Sequence, residues 1–154
     1  MKKYLFILAI AALPVGLVCA QSPKDAYETI VDGVKVIVQP SGNGIVEIQA
    51  IIKGGVQNYP ADKMGIESLA MTALSECGTM NHDKNSFKDQ LDKVNASVYG
   101  YSNKNFSVLR MNCIKNDFDT VWPLFTEALT QPKFDAKEFA RIQQDAINNR
   151  KSVV

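Results

Sequence analysis

The amino-acid sequence predicts an α+β domain with the element order β-β-α-α-β-β-α-α. Apolar residues alternate with polar ones before residue 53 and between residues 97 and 113, which is typical of strands. Over residues 66–94 and 118–146 they recur instead with the helical period of about 3.6 residues. Charged residues form 21% and aromatic residues 8% of the 154 residues, which is ordinary for a folded chain and argues against disorder.

The first two strands are predicted over residues 33–38 and 45–52. The first run is rich in β-branched residues and ends at Pro40, and the second alternates apolar and polar positions. Gly42-Asn43-Gly44 lies between them, so we predict that the two strands form a hairpin. Residues 54–62, which begin with two glycines, predict a loop rather than a phosphate-binding motif.

Two helices are predicted between residues 65 and 94. The first presents one apolar face, formed by Ile66, Leu69, Ala70, Ala73 and Leu74. Gly78 is placed to end this helix in a left-handed conformation. The second helix, over about residues 85–94, is expected to bury Phe87, Leu91 and Val94.

A second strand pair and two more helices complete the prediction. The strands cover residues 97–102 and 106–113, around a turn at residues 103–105. The third helix has an apolar stripe formed by Phe118, Val121, Trp122, Phe125, Ala128 and Leu129. Because Pro123 lies within this stripe, we expect a kink or a late helix start there. Asp135 with Glu138 is a start signal for the fourth helix, which is expected to bury Phe139, Ile142 and Ala146.

Residues 1–20 have the layout of a signal peptide. Met1-Lys2-Lys3 is positively charged, residues 4–13 are apolar, and Val18-Cys19-Ala20 before Gln21 resembles a cleavage site. The apolar run is shorter than the ~20 residues that span a bilayer. We therefore predict an exported protein, periplasmic or secreted, with no stable membrane span after cleavage. A lipoprotein anchored through Cys19 is the alternative, and the bulky Val18 before it argues against that.

Residues 21–154 are predicted to form a single domain. The last helix reaches Val154 without a Gly or Pro that would end it. We therefore expect this domain to be truncated in or just after that helix, as the front piece of a longer protein.

Composition excludes several classes of function. Removing residues 1–20 takes away two lysines, which leaves 15 basic against 16 acidic residues and no charge pattern for binding nucleic acid. The single histidine, His82, excludes any site that needs two, and its polar loop predicts a solvated side chain. Cys77 and Cys113 lack metal-ligand or redox spacing. They could pair in an oxidising compartment, but two buried apolar side chains are the favoured interpretation.

The stretch from Val34 to Arg150 resembles the N-terminal domain of the insulinase/pitrilysin family of zinc metallopeptidases. The residues that carry this resemblance are, in order, Lys53-Gly54-Gly55, Pro60, Gly65-Ile66-Glu67, Gly78-Thr79 and Gln131-Pro132-Lys133-Phe134 with Glu138. Members of that family carry an inverted H-x-x-E-H zinc motif. The resemblance implies the two-layer α/β sandwich of the insulinase/pitrilysin type (the metalloenzyme, peptidase-like fold), zinc as cofactor and endopeptidase activity.

The sequence departs from the family at every position that handles zinc. Counting from Gly65, Ser68 and Thr72 replace the two histidines, Met71 the catalytic glutamate, Arg150 (or, with a slip of one residue, Asn149) the distal glutamate, and Gln143 the acidic residue one turn earlier. Hydroxyl groups are weak zinc ligands, a thioether cannot take a proton, and a guanidinium repels a cation. We therefore expect no catalytic residue and no zinc in this chain, and no activity when it is alone.

Three functions remain open. Because family members are clamshells, the leading hypothesis is a non-catalytic half that binds peptide substrates, its zinc-bearing partner being a homologue or the downstream half of the same polypeptide. The second is the N-terminal part of an active zinc metalloendopeptidase whose intact site lies beyond residue 154. The third is an exported peptide-binding or chaperone-like module. The family binds peptide along a sheet edge, which implies contacts near Tyr99, Gly100 and Tyr101, although an ordinary core hairpin explains these residues equally well.

Overall fold

The computed structural model describes residues 26–152, with side chains described up to residue 149. The described chain divides into two compact units, with the boundary between residues 43 and 44. The signal peptide predicted over residues 1–20, with Cys19, lies outside the described residues and stays a prediction. Within the described part, no helix combines the length and apolar character needed to cross a bilayer.

The first unit contains a hairpin of β1 (Tyr27–Val31) and β2 (Val34–Val38). The strands are antiparallel and pair from Tyr27↔Val38 to Val31↔Val34. Asp32 (φ 48°) and Gly33 (φ 81°) both adopt the left-handed conformation of a two-residue hairpin turn. Gly33 is therefore a turn residue and not the start of a strand, and β1 is a strand that the sequence analysis did not predict.

The hairpin predicted across Gly42–Gly44 is wrong. β2 takes β1 as its partner, whereas β3 (Ile45–Lys53) pairs with β5 (Phe106–Ile114). The Asp-Gly turn closes β1 onto β2 with only two intervening residues, which gives it the advantage over the longer loop after β2.

The second unit is a two-layer α/β sandwich. Its three-stranded antiparallel sheet has the order β3-β5-β4, and β4 (Ser97–Ser102) and β5 form the predicted hairpin. Four helices follow the predicted sequence: α1 (Ile66–Glu76), α2 (Lys84–Lys93), α3 (Phe118–Thr130) and α4 (Ala136–Ser152). Short 3-10 turns cover Val56–Asn58, Ala61–Lys63 and Lys115–Asp117. The predicted mixed α/β class and its element order are confirmed, with β1 added at the start.

The core lies between one face of this sheet and helices α1, α2 and α3. The sheet contributes alternate residues: Val46, Ile48 and Ala50 on β3, Leu109, Met111 and Cys113 on β5, and Val98 on β4. The helices contribute Met71, Leu74, Phe87, Leu91, Val121, Leu124, Phe125 and Ala128. Helix α1 approaches β4 so closely that a Cβ on Gly100 would lie 2.0 Å from the carbonyl oxygen of Met71. Only glycine therefore fits at position 100.

Helix α3 runs through Pro123 from Phe118, so the predicted late start at this proline is wrong. The buried side chains of Val121, Leu124 and Phe125 lie on both sides of Pro123 and stabilise the helix despite the missing N–H. Trp122 is 40% exposed and stacks on its two aromatic neighbours along the helix, so it covers the core edge rather than filling the core.

Helix α4 begins as predicted, because Asp135 Oδ1 accepts hydrogen bonds from the backbone N–H groups of residues 137 and 138. Ile142 is buried in a small cluster with Ala73 of α1 and Cys77, which directly follows that helix. The predicted burial of Ala146 is wrong, since this residue is exposed and lines an open groove between the two helices.

Phe134, just before α4, has a φ of 47°, a left-handed conformation that bulky residues rarely adopt. The chain on its N-terminal side is held by two backbone hydrogen bonds, from Met80 N to Gln131 O (2.9 Å) and from Lys133 N to Gly78 O (3.2 Å). On its C-terminal side, its ring meets that of Phe139 edge-on at 6.5 Å. Contacts on both sides thus hold Phe134 in this conformation.

Both cysteines of the described chain are free and buried. Cys77 lies in the small α1–α4 cluster, and Cys113 lies in the main core. The favoured interpretation of two buried apolar side chains is confirmed. Burial raises the pKa of each thiol, which keeps both in the unreactive protonated form.

Candidate functional site

A groove of about 790 Å³ lies between α1 and α4. Leu69, Phe139 and Ile142 contribute apolar surface to it, and these residues also join the two helices. Three of the positions singled out in the sequence line the same groove: Ser68, Thr72 and Gln143. The structure therefore brings together residues that are more than 70 positions apart in the sequence.

Two other singled-out positions are not part of this arrangement. Met71 is 4% exposed and packs in the core beneath the sheet, and it is not among the groove residues. Arg150 lies in the last turns of α4, and its side chain is outside the described part of the chain. Asn149, the alternative to Arg150, does line the groove.

Glu67 holds the start of α1, and with it the groove, in place. Its Oε2 accepts a hydrogen bond from Gly55 N (2.9 Å), and its Oε1 accepts one from the hydroxyl of Ser107 on β5 (2.6 Å). Ser107 is 1% exposed, so this is a buried polar contact. Sequence reasoning missed this role because Glu67 is 12 and 40 residues from its partners.

Arg141 provides the charged contact between α4 and the last turn of α1. Its guanidinium bonds Glu138 at 2.9 Å, Asp145 at 2.7 Å and, across the helix junction, Glu76 at 3.3 Å. Lys84 also bonds Glu138, at 2.8 Å. These two cations, Lys84 first, lower the pKa of Glu138 to about 2.

The singled-out polar groups of the groove are not the ligand types that zinc prefers. Thr72 Oγ1 donates to the carbonyl oxygen of Ser68 (2.9 Å), so this hydroxyl is already engaged in a hydrogen bond within α1. Gln143 offers a neutral amide, and the cationic Arg141 lines the same groove. Over residues 26–149, no three or more His, Cys, Asp or Glu side chains are arranged to hold a metal ion. What this arrangement offers a ligand is apolar contact, neutral hydrogen bonds and the charged groups of Asp62, Lys63, Glu76, Arg141 and Asp145.

His82 is not the solvated side chain that the sequence predicted. Its Nδ1 lies 2.9 Å from Glu127 Oε2 on α3, and its side chain is 25% exposed. Glu127 also accepts hydrogen bonds from Thr79 Oγ1 (2.9 Å) and Asn81 Nδ2 (3.1 Å). Burial raises the pKa of Glu127, but the bonds from Asn81, His82 and Thr79 together bring it below its ordinary value. Thr79, which is 1% exposed, donates directly to the Glu127 carboxylate, so the histidine does not lie between a hydroxyl and a carboxylate as it does in a catalytic triad. The network instead joins the loop after α1 to α3.

The predicted peptide-binding residues lie on the edge strand β4, which among the described strands pairs only with β5. The rings of Tyr99 and Tyr101 stack at 6.2 Å, and the guanidinium of Arg110 lies 5.9 Å from the Tyr99 ring. Arg110 also bonds Glu47 on β3, which lowers the pKa of that carboxyl. Gly100, between the tyrosines, has the packing role against α1 described above. None of these residues lines the α1–α4 groove.

The fold defined by this unit is that of domains from the M16, or insulinase-type, peptidases. No protein-family model matches the sequence, and no curated protein matches it significantly. The similarity to solved structures is nevertheless extensive. A protease from Helicobacter pylori superposes with a TM-score of 0.73 at 18% identity, over 84% of this chain and 31% of its own length.

Two further structures extend the comparison. The M16 peptidase inactive domain from Pseudomonas fluorescens gives a TM-score of 0.70 at 19% identity, over 79% of this chain and 30% of that one. The periplasmic protease PqqL from Escherichia coli gives 0.67 at 18% identity, over 99% of this chain and 18% of its own. At these identities the comparisons show the fold alone, and the chain spans less than a third of each of these proteins.

Proposed function

We propose that this chain is a zinc-free homologue of the insulinase-type peptidases, which forms the non-catalytic half of a clamshell protease. The observation that carries the proposal is the groove in which Ser68, Thr72 and Gln143 meet without a zinc ligand among them. Two carboxylates that also line the groove, Glu76 and Asp145, are already paired with the guanidinium of Arg141. The zinc and the catalytic base then come from a zinc-bearing homologue or from the downstream half of the same polypeptide.

The peptide substrate of this half binds as an added strand along β4. The edge of β4 that pairs with no described strand offers backbone hydrogen bonds, and Tyr99 and Tyr101 offer ring contacts next to Arg110. The similarity to a periplasmic protease supports a place in the same compartment, which agrees with the predicted signal peptide.

One observation favours a second candidate function. The chain matches only 18–31% of the length of its structural neighbours, two of which are described as proteases. An active zinc metalloendopeptidase, with its intact site beyond residue 154, is therefore the alternative for the whole polypeptide.

Metal analysis and peptide digestion of residues 21–154 test the proposal. We expect no stoichiometric zinc and no peptide cleavage from this chain alone. Stoichiometric zinc, or cleavage that a chelator abolishes, would show that the proposal is wrong. Zinc and cleavage in the longer polypeptide but not in residues 21–154 would favour the second candidate.

A gain-of-function variant tests whether the groove corresponds to a lost metal site. The triple substitution S68H/T72H/Q143E places two histidines at i and i+4 on α1 and a carboxylate on α4, the ligand types that zinc prefers. We expect it to bind one zinc ion per chain. The matched control, K88H/D92H on the exposed face of α2, has the same histidine spacing but no carboxylate introduced on a facing helix. We expect it to bind zinc much more weakly. Equal zinc affinity of the two folded variants would contradict this assignment of the groove.

A further inference from the structure

The exposed loop after β2 contains the one Asn-Gly pair in the sequence, Asn43-Gly44. An asparagine before glycine is the pair in which the following backbone nitrogen most easily reaches the side-chain amide, because glycine has no Cβ in the way. Gly42 and Gly44 both have open space where a Cβ would be, and neither requires a positive φ. Neither glycine is therefore crowded by neighbouring atoms.

Ser41 makes two contacts with Asn43. Its hydroxyl donates to the side-chain carbonyl oxygen Oδ1 at 2.5 Å, and its Oγ lies 3.4 Å from the backbone N–H of Asn43, which donates to it. The second contact orients the hydroxyl toward the amide. A donor aimed at a carbonyl oxygen stabilises the negative charge that develops there when a nucleophile attacks the carbonyl carbon.

We propose that Asn43 is a site of spontaneous deamidation assisted by Ser41, which is independent of the peptidase-like function proposed above. The backbone nitrogen of Gly44 loses its proton to solvent and forms a bond to Cγ of Asn43. This bond closes a five-membered ring; Nδ2 then takes up a proton from solvent, the Cγ–Nδ2 bond breaks, and ammonia leaves a succinimide behind. One water molecule opens this ring at either carbonyl carbon, so the products are aspartate and isoaspartate at position 43.

Each deamidation event replaces a neutral amide by a carboxylate, which lowers the formal net charge of +1 by one unit. Isoaspartate also adds one main-chain carbon between residues 43 and 44, just before β3 begins at Ile45. The loss of ammonia is irreversible, so the deamidated fraction increases with the age of the molecule.

Peptide mapping by mass spectrometry, during incubation of residues 21–154 at neutral pH, measures the reaction. We expect position 43 to deamidate faster than the exposed Asn85 and Asn95, which precede serine and alanine. Ser41→Ala removes a hydrogen bond worth about 1 kcal/mol, so we expect deamidation about fivefold slower in the folded protein. In denaturant, where the loop geometry is lost, the same variant should react at the wild-type rate.

Two glycine variants serve as matched controls in the same loop. Gly44→Ala places a methyl group beside the attacking nitrogen and should slow the reaction, whereas Gly42→Ala should leave its rate unchanged; both fit the space available. The proposal is overturned if position 43 reacts no faster than Asn95. It is equally overturned if Ser41→Ala reacts at the wild-type rate in the folded protein, or slows the reaction equally in denaturant.

Discussion

Replacing Gly100 by alanine should strongly destabilise the domain, because α1 and β4 touch backbone to backbone at this point. The added Cβ would lie 2.0 Å from the carbonyl oxygen and 3.2 Å from the Cα of Met71. Real Cβ contacts are essentially never shorter than 3.0 Å, so helix and strand must separate by about 1 Å. No side-chain rotation relieves this overlap, since the obstacle is main chain.

The energetic cost follows from what that separation disrupts. Helix α1 buries Met71 and Leu74 against the sheet, and moving it outward opens the packed layer along both residues. Overpacking in a core costs about 1–3 kcal/mol. Because the backbone itself must move, we expect a loss near the upper value, about 3 kcal/mol, out of the 5–15 kcal/mol typical of folded domains.

Urea denaturation of residues 21–154, followed by circular dichroism, measures this loss against two other glycine variants. Gly54→Ala meets only the carboxylate of Glu67, at 2.4 Å, which can rotate away but then gives up its hydrogen bond from Ser107, at a cost of about 1–3 kcal/mol. Gly42→Ala meets nothing within 4 Å and should change stability by less than about 1 kcal/mol. If Gly100→Ala unfolds at the same urea concentration as Gly42→Ala, the close approach of α1 to β4 is refuted.

Three further predictions concern polar and titratable groups. Glu67→Ala leaves the buried Ser107 hydroxyl without its acceptor, and urea denaturation should show a loss of about 1–3 kcal/mol. The pKa of Glu138 is about 2 in the folded chain against an ordinary 4.5, so its carboxylate stabilises the fold above pH 4.5, and this contribution is lost as the pH falls toward 2. The Tm difference between wild type and Glu138→Gln should therefore be largest at neutral pH and should disappear as the pH falls from 4.5 toward 2. The buried thiols of Cys77 and Cys113 should react with a thiol reagent only after unfolding.

Each of these predictions has its own control. In the Glu67→Ala background, Ser107→Ala should cost less than it does in wild type, and strict additivity would contradict the hydrogen bond. A Tm difference for Glu138→Gln that does not change between neutral and acidic pH would refute the ion-pair explanation. Rapid modification of either thiol in the native protein would contradict its burial.

Local signals in the sequence explain what could be predicted. Gly65 and Gly78 bracket α1, and Asp135 caps α4, so both helices were placed from a few neighbouring residues. The turn at Asp32-Gly33 was an equally local signal, and β1 could have been found from it. The β-branched run after Gly33 and the two glycines around Asn43 favour a strand at Gly33 and a turn ten residues later, which is why the turn was predicted at the wrong place.

Contacts between distant residues explain what could not be predicted. Glu127 binds residues that precede it by 45 to 48 positions, and periodicity along α3 cannot show such a contact. The exposure of Ala146 depends on how far α1 extends beside α4, which the pattern of α4 alone does not contain. The positions of Ser68 and Gln143 were selected through resemblance, and their meeting in one groove depends on the packing of two helices.

The left-handed backbone of Phe134 determines in which direction α4 leaves the rest of the fold. Residues 131 and 133 are hydrogen-bonded to Met80 and Gly78, in the segment that follows α1, so the turn at Phe134 sets where this helix of 17 residues begins. Contacts of Phe139, Arg141 and Ile142 then hold the first half of α4 against α1. One wall of the groove is thus placed in part by Phe134, a residue that does not line the groove.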